Sequence, residues 1–131
     1  MHFYLIGLGS NIAPDTHLPA ALAELSQLCE LVASSPVLTT AAVGTTFHGD
    51  FANQLAVIRC ALPAPMLKHQ LLRIESKLGR EPKTPERKLH DRTIDLDILA
   101  TAASAEEARQ YALQDSYYRD IQTLWNQEIK V

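Results

Sequence analysis

Residues 92–99 read Arg-Thr-Ile-Asp-Leu-Asp-Ile-Leu, an alternation of apolar and polar side chains with a period of two. This pattern predicts a half-buried β-strand. Because successive side chains on a strand point to opposite faces, Asp95 and Asp97 project to the same side, about 7 Å apart at the backbone. Neighbouring carboxylates repel unless a cation lies between them, and Mg²⁺ prefers such hard oxygen ligands together with phosphate oxygens. The pair therefore indicates a metal site or, as an isolated D-x-D more often does, a solvated polar face.

A basic segment precedes this strand. Residues 80–91 lack apolar periodicity and predict a loop, and a loop of this length without structure of its own is usually functional. Arg92 follows directly and is placed to clamp a phosphate through two hydrogen bonds. Cations ahead of paired carboxylates suit a metal–polyphosphate ligand, although a solvated charged loop explains the same composition. The cations of the segment are Arg80, Lys83, Arg87 and Lys88.

The remaining apolar patterns predict a ferredoxin-like fold. Together with the strand over 92–99, the order is βαββαβ followed by a C-terminal extension, which is the ferredoxin-like α+β pattern. We expect one antiparallel sheet with both long helices on one face and the other face open to a ligand. The end of the chain from Asp115 is ambiguous. The expected elements are a buried strand over 3–9, a helix over about 18–32 with Asp15 or Thr16 as N-cap and Pro19 in its first turn, β-rich segments over about 34–46 and 51–62, a helix from 63–65 to Leu78 with Gly79 at C′, and a short helix over 104–112.

Composition limits the class of protein. With 131 residues, an apolar fraction of 47% and a charged fraction of 21%, the chain predicts a single globular domain over 1–131. A net charge of −3 gives no general electrostatic reason to bind nucleic acid or a membrane. No segment has the length of a membrane span or the basic start of a signal peptide, so we expect a cytoplasmic protein. Cys29 and Cys60, isolated within apolar patterns, are expected to be buried and reduced.

Four short motifs occur in the order and approximate spacing of a known family. Through them the chain resembles the 6-hydroxymethyl-7,8-dihydropterin pyrophosphokinase family of the folate pathway over roughly residues 3–100. The resemblance implies transfer of pyrophosphate from ATP to the hydroxymethyl group of a reduced pterin, with release of AMP. The motifs are Gly9-Ser10-Asn11, Phe51-Ala52-Asn53, Arg73-Ile74-Glu75 ahead of Gly79-Arg80, and the strand over 92–99.

The resemblance also implies a catalytic set of two aspartates and two arginines. Asp95 and Asp97 resemble the ligands of two Mg²⁺ ions that bridge ATP and the pterin. Arg80 and Arg92 resemble the arginines that contact the phosphates and balance charge in the transition state. Taken without the family, Arg80 is equally well explained as a cation at a helix C-terminus.

The implied pterin pocket comes from two other segments. Phe51 resembles the aromatic that stacks on one pterin face, Asn53 resembles the amide that reads the ring edge, and the backbone around Thr40 and Val43 completes the pocket. Read without the family, Phe51 also fits a core position and Asn53 a turn at the start of a strand. The implied contacts to ATP are Glu75, Lys83, Arg92, Ile98 and Arg119.

The chain departs from the family pattern in two places. His90 and Asp91 precede Arg92, where the family usually has a small residue and then Pro or Ser. Beyond about residue 101 the family's Pro-His pair is unmatched, and Ile121 stands where a second stacking aromatic belongs. The sequence also ends some tens of residues short of typical members. We therefore expect a pyrophosphokinase of weak or absent activity, with a non-catalytic pterin- or nucleotide-binding paralogue and a plain interaction module as the alternatives. We also expect a monomer.

Overall fold

One antiparallel sheet organises the chain. The computed structural model describes residues 1–40, 50–79 and 93–129. Within these ranges no helix is long and apolar enough to cross a membrane. The elements are β1 (His2–Ser10), α1 (Pro14–Leu28), β2 (Glu30–Ser34), β3 (Leu38–Thr40), β4 (Phe51–Cys60), α2 (Ala64–Lys77), β5 (Asp95–Ala102), α3 (Ala105–Arg109) and α4 (Ser116–Ile129).

The strand order confirms the ferredoxin-like α+β prediction. The sheet runs β2-β4-β1-β5, and β3 pairs with β4 beyond the end of β2. Every pairing is antiparallel. The β-rich segment expected over 34–46 is divided between β2 and β3, and its remainder lies outside the described residues. Strand β1 is central and pairs along its whole length with β4. Apolar side chains of β1 are therefore buried on both faces of the sheet, which explains why its sequence is an unbroken apolar run.

The first face of the sheet carries the two long helices. Tyr4, Ile6 and Leu8 of β1 point to this face and are fully buried. The hydroxyl of Tyr4 donates to the carbonyl of Leu62 at 2.7 Å, so this buried polar group is satisfied. The covering helix residues are Leu18, Ala21 and Leu25 of α1 and Leu67, Leu71 and Ile74 of α2.

The second face of the sheet is partly covered, and the expectation of an open face is wrong over this area. Helices α3 and α4 pack there because the ambiguous C-terminal segment forms an amphipathic helix. Ile121 is completely buried in this second core, which explains its apolar character without any ligand contact. The second core contains Leu5, Leu55, Val57, Ala100, Ala108, Tyr118, Ile121 and Trp125.

The sequence predicted one of two helix ends correctly. Gly79 follows the C-cap of α2 with φ +94°, which confirms it at C′. The expected N-cap at Asp15 or Thr16 is wrong, because α1 begins at Pro14 and its N-cap, Ala13, has a left-handed conformation. Proline suits the first helical position, since its φ is fixed and its missing N–H has no partner there. Pro19 consequently lies in the second turn rather than the first.

The prediction of reduced cysteines is also wrong, because Cys29 and Cys60 form a disulfide. Strand β2 starts directly after Cys29 and pairs with the end of β4, with Glu30 opposite Arg59. This pairing brings the two Cα atoms to 5.1 Å, within the range that a disulfide spans. Because Cys29 and Cys60 are 31 residues apart in the sequence, their spacing alone did not predict that they lie close together.

Reduction of this disulfide should lower the free energy of unfolding by about 3–4 kcal/mol, because the cross-link restricts the unfolded chain. Urea unfolding with and without dithiothreitol measures the difference. The Cys29→Ala/Cys60→Ala variant is the matched control and should unfold like the reduced protein. An oxidised protein no more stable than this variant would contradict the expectation.

Candidate functional site

The two aspartates of β5 lie on the second face of the sheet. Ile94 and Leu96 are fully buried in the first core, and Ile98 packs against it. The alternation along the strand therefore directs Asp95 and Asp97 to the opposite face, as the sequence predicted. Both aspartates are half-buried.

Two glycines of the central strand face these aspartates. Gly9 is the register partner of Asp95, and Gly7 is the partner of Asp97. On its other side Gly9 pairs with Asn53 of β4. Asn53, Gly9 and Asp95 thus form one row across three strands. Because the middle residue of the row has no side chain, the space over it is available to the side chains on either side.

The amide of Asn53 reaches across this row. A Cβ atom on Gly9 would lie 2.9 Å from Oδ1 of Asn53, so the amide lies over the glycine and would have to shift if a side chain were added. Asn53 is 7% exposed and lies inside β4, which excludes a turn at the start of the strand. An amide has both donor and acceptor groups, so the Asn53 side chain is suited to a ligand edge that carries both.

Phe51 lies beside Asn53 on the same face, at the first position of β4. It is half-buried, and among the described residues it belongs to neither core cluster. Thr40 of β3 is its register partner. The structure therefore brings together three of the four residues of the implied pterin pocket, and the fourth, Val43, lies outside the described residues.

Two tyrosines of α4 border the aspartates. Tyr118 lies over Gly7, where an added Cβ would be 2.5 Å from its hydroxyl oxygen and 2.6 Å from its Cζ. Burial, reinforced by the negative charges of Asp97 and Asp95, raises the pKa of the Tyr118 hydroxyl well above its usual value. The ring centroid of Tyr117 lies 4.5 Å from that of Tyr118. Tyr117 is 38% exposed, and its partial burial together with the negative charge of Asp115 raises the pKa of its hydroxyl. Both phenols stay protonated at neutral pH and wall the aspartate pair on one side.

The residues of the implied ATP site are more scattered. Glu75 is 4% exposed on α2, on the helix-covered side of the sheet, and its Oε2 accepts a hydrogen bond from the backbone N–H of Leu96 at 2.8 Å. The side chain of Ile98 packs into the first core, away from the aspartate face. Arg119 follows Tyr118 on α4 and is exposed. Arg80, Lys83 and Arg92 lie outside the described residues.

The donor set of this face fits a cation shared with a ligand. Among the residues that the structure describes, no group of three or more His, Cys, Asp or Glu side chains converges as a metal cage would. The protein offers two carboxylates, and Mg²⁺ characteristically takes one or two carboxylates plus phosphate oxygens and water. Asp95 and Asp97 could therefore hold a cation together with the oxygens of a ligand.

Comparison with known proteins identifies the family. The family model for 7,8-dihydro-6-hydroxymethylpterin-pyrophosphokinase matches residues 5–121. The chain belongs to this family. The matched range extends beyond the four motifs to the first turns of α4, so the family pattern reaches the tyrosine-bearing helix.

Curated relatives agree with the family match. A 2-amino-4-hydroxy-6-hydroxymethyldihydropteridine pyrophosphokinase of Synechocystis sp. is 35% identical over 101 residues, which are 75% of this chain and 50% of that protein. The enzyme of the same name from Campylobacter jejuni is 35% identical over 98 residues, covering 72% and 60%. The one from Porphyromonas gingivalis is 32% identical over 101 residues, covering 76% and 69%. The chain thus spans about half the length of the first relative and 60% of the second.

Sequence reasoning missed the role of Gly7 and of α4 at this site. A signal for the first was present, because two glycines at alternate positions of an otherwise apolar strand leave one face without side chains. A signal for the second was weak, since Tyr117 and Tyr118 precede a helix whose contact with the sheet depends on long-range packing. In this family member, α4 packs beside the motif residues on the second face of the sheet.

Gly7→Ala should lower the free energy of unfolding by about 1–3 kcal/mol, because its methyl group would overlap the Tyr118 ring. In a protein that already carries Tyr118→Ala, Gly7→Ala should lower the free energy of unfolding by less, because the overlapping ring is absent. The difference between the two losses is the coupling energy of a double-mutant cycle, and it should be about 1 kcal/mol or more. Chemical denaturation of the four proteins measures it.

Gly9→Ala is the matched control for this cycle, since its neighbour is Asn53 and not Tyr118. Its effect should add to that of Tyr118→Ala. Additivity of Gly7→Ala with Tyr118→Ala would instead mean that α4 does not pack on β1 as described.

Proposed function

We propose that this chain transfers pyrophosphate from ATP to the hydroxymethyl group of 6-hydroxymethyl-7,8-dihydropterin, releasing AMP, as a step of folate biosynthesis. The observation that carries the proposal is the row across β4, β1 and β5, in which Asn53 and Asp95 flank Gly9 with Asp97 beside them. The names of the curated relatives support catalysis rather than binding alone.

The pterin is proposed to lie at the Asn53 end of this row. A pterin edge presents alternating donors and acceptors, and the buried amide of Asn53 is suited to pair with them. Phe51, half-buried on the same face, offers an aromatic surface to one side of the ring. Thr40, opposite Phe51 in the register, and Val43 complete this pocket in the proposal.

The polyphosphate of ATP is proposed to lie at the aspartate end. Asp95 and Asp97 would hold two Mg²⁺ ions, which neutralise phosphate charge and align the attacking and leaving oxygens. Arg80, Arg92 and Lys83 are proposed to contact the phosphates, and Ile98 and Arg119 the remainder of the nucleotide. In this arrangement the pterin hydroxyl oxygen bonds to the β-phosphorus and releases its proton to solvent, the bond from that phosphorus to the oxygen bridging to the α-phosphate breaks, and AMP leaves with that oxygen.

The protein's own contribution is to orient the reactants and to limit water. Asn53 and Asp95 lie on opposite sides of one glycine, so a pterin bound at Asn53 and a polyphosphate bound at Asp95 would be separated by a single strand. Positioning of this kind accounts for much of the rate of enzymatic phosphoryl transfer. Tyr118, buried beside the aspartates, reduces solvent access on that side and strengthens the local electrostatics.

Asp97→Asn should reduce AMP formation from ATP, Mg²⁺ and the reduced pterin by more than about a hundredfold, because the amide keeps the size of the side chain but removes a metal-binding charge. Thermal unfolding should be little changed, since the substitution also relieves repulsion from Asp95. Chromatographic assay of AMP measures the first effect and calorimetry the second.

Asp120→Asn, an exposed carboxylate on α4, is the control and should retain activity. If Asp97→Asn turned over at the rate of this control, the proposed metal site would be excluded. If the wild-type chain formed no AMP but bound the pterin with dependence on Asn53, the binding-only alternative would replace the enzyme.

A further inference from the structure

Glu75 is a buried carboxylate that contacts the aspartate strand from outside the proposed reaction centre. Its Oε2 accepts the backbone N–H of Leu96 at 2.8 Å. Leu96 is the residue between Asp95 and Asp97, and its own side chain is buried in the first core. Burial of a carboxylate that is only 4% exposed costs free energy unless the group forms strong hydrogen bonds. The hydrogen bond to Leu96 therefore offsets part of the cost of burying Glu75.

The location of β5 in the sheet makes this hydrogen bond consequential. In the described part of the sheet, β5 is an edge strand whose only strand neighbour is β1. Its outer backbone groups therefore depend on partners other than a strand. Helix α2 supplies one through Glu75, and its C-terminal end approaches the start of β5, where a Cβ on Gly79 would lie 3.9 Å from Cγ2 of Thr93.

The pairing of β1 with β5 also contains an irregularity. The register shifts between Leu5 and Ile6, after which Ile6 pairs with Ile98 and Leu5 with Ala100. A bulge at this point increases the local twist and leaves the strand less firmly held by the ladder alone. The segment from Asp95 to Asp97 lies directly beyond the bulge, and the Glu75 bond fixes its middle residue.

We propose that Glu75 is a positioning residue, which holds the Leu96 backbone so that the carboxylates of Asp95 and Asp97 keep the spacing needed to bind divalent cations with ATP. This role rests on the proposed function of the two aspartates. It differs from the direct ATP contact that the family resemblance implies for Glu75, because it requires the reach of the side chain and not its charge.

Two conservative variants of Glu75 distinguish the effect of its side-chain length from that of its negative charge. Glu75→Gln keeps the length of the side chain and an oxygen acceptor but removes the charge. Glu75→Asp keeps the charge but withdraws the carboxylate by one methylene, out of reach of the Leu96 N–H. A positioning role predicts that the glutamine variant resembles the wild type and that the aspartate variant is defective, whereas a direct contact to a cationic or metal-bound ligand predicts the reverse.

Three readouts follow these variants. Amide hydrogen exchange at Leu96, measured by NMR, should accelerate by about tenfold in Glu75→Asp and remain near wild type in Glu75→Gln. The affinity for Mn²⁺ in the presence of a non-hydrolysable ATP analogue, measured by electron paramagnetic resonance, should fall by about tenfold in Glu75→Asp alone. The KM for the pterin should be unchanged in both, because Asn53 lies on a different strand.

Leu71→Val provides the control for a merely structural effect. It perturbs the buried face of the same helix, one turn before Glu75, but leaves the Glu75 side chain unchanged, so it should lower stability while leaving Mn²⁺ affinity and Leu96 exchange near wild type. Equal affinities in Glu75→Asp and the wild type, or a loss confined to Glu75→Gln, would overturn the positioning role. Absence of AMP formation by the wild type would overturn the proposed function instead, and the Leu96 exchange comparison would still decide whether Glu75 holds the strand.

Discussion

The antiparallel register between β1 and β5 sets Gly9 opposite Asp95 and Gly7 opposite Asp97. A shift of one residue would turn both carboxylates into the first core and bring Leu96 to the other face. Burial of Ile94 and Leu96 opposes that shift, so the same apolar residues that stabilise the sheet also fix the direction of the aspartates. Fold and site are therefore specified by one pattern of alternation.

The two faces of the sheet serve different purposes. The first face is filled by α1 and α2 and gives the larger core. The second face is divided, because α3 and α4 cover Leu5, Leu55 and Val57, whereas the described side chain that lies over Gly9 is the amide of Asn53. Helix α3 is tied to α4 by Arg109, whose guanidinium lies 3.9 Å from the centre of the Trp125 ring and donates to its backbone carbonyl. The packing of this pair places Tyr118 at the boundary between core and site.

The parts of the fold that depend on local pattern were predictable, and those that depend on distant contacts were not. Alternation along residues 92–99 predicted the aspartate face, and the order of apolar segments predicted the sheet. The disulfide between Cys29 and Cys60 was missed because it follows from the pairing of β2 with β4, not from spacing. The motifs predicted that Phe51 and Asn53 belong to one site. They could not indicate that Glu75 would be buried against the backbone of Leu96, since that depends on how α2 packs on the sheet edge.

Paramagnetic broadening of backbone NMR signals by Mn²⁺ tests most directly whether the glycine row and the two aspartates form the ligand site. With a non-hydrolysable ATP analogue present, the amide signals of Gly7, Gly9, Asp95 and Asp97 should broaden selectively, and those of the buried face of α1 should stay sharp. Asp97→Asn should abolish the selective broadening. Broadening that is absent from this face, or that centres on exposed acidic residues such as Glu106 and Glu107 of α3, would contradict the account.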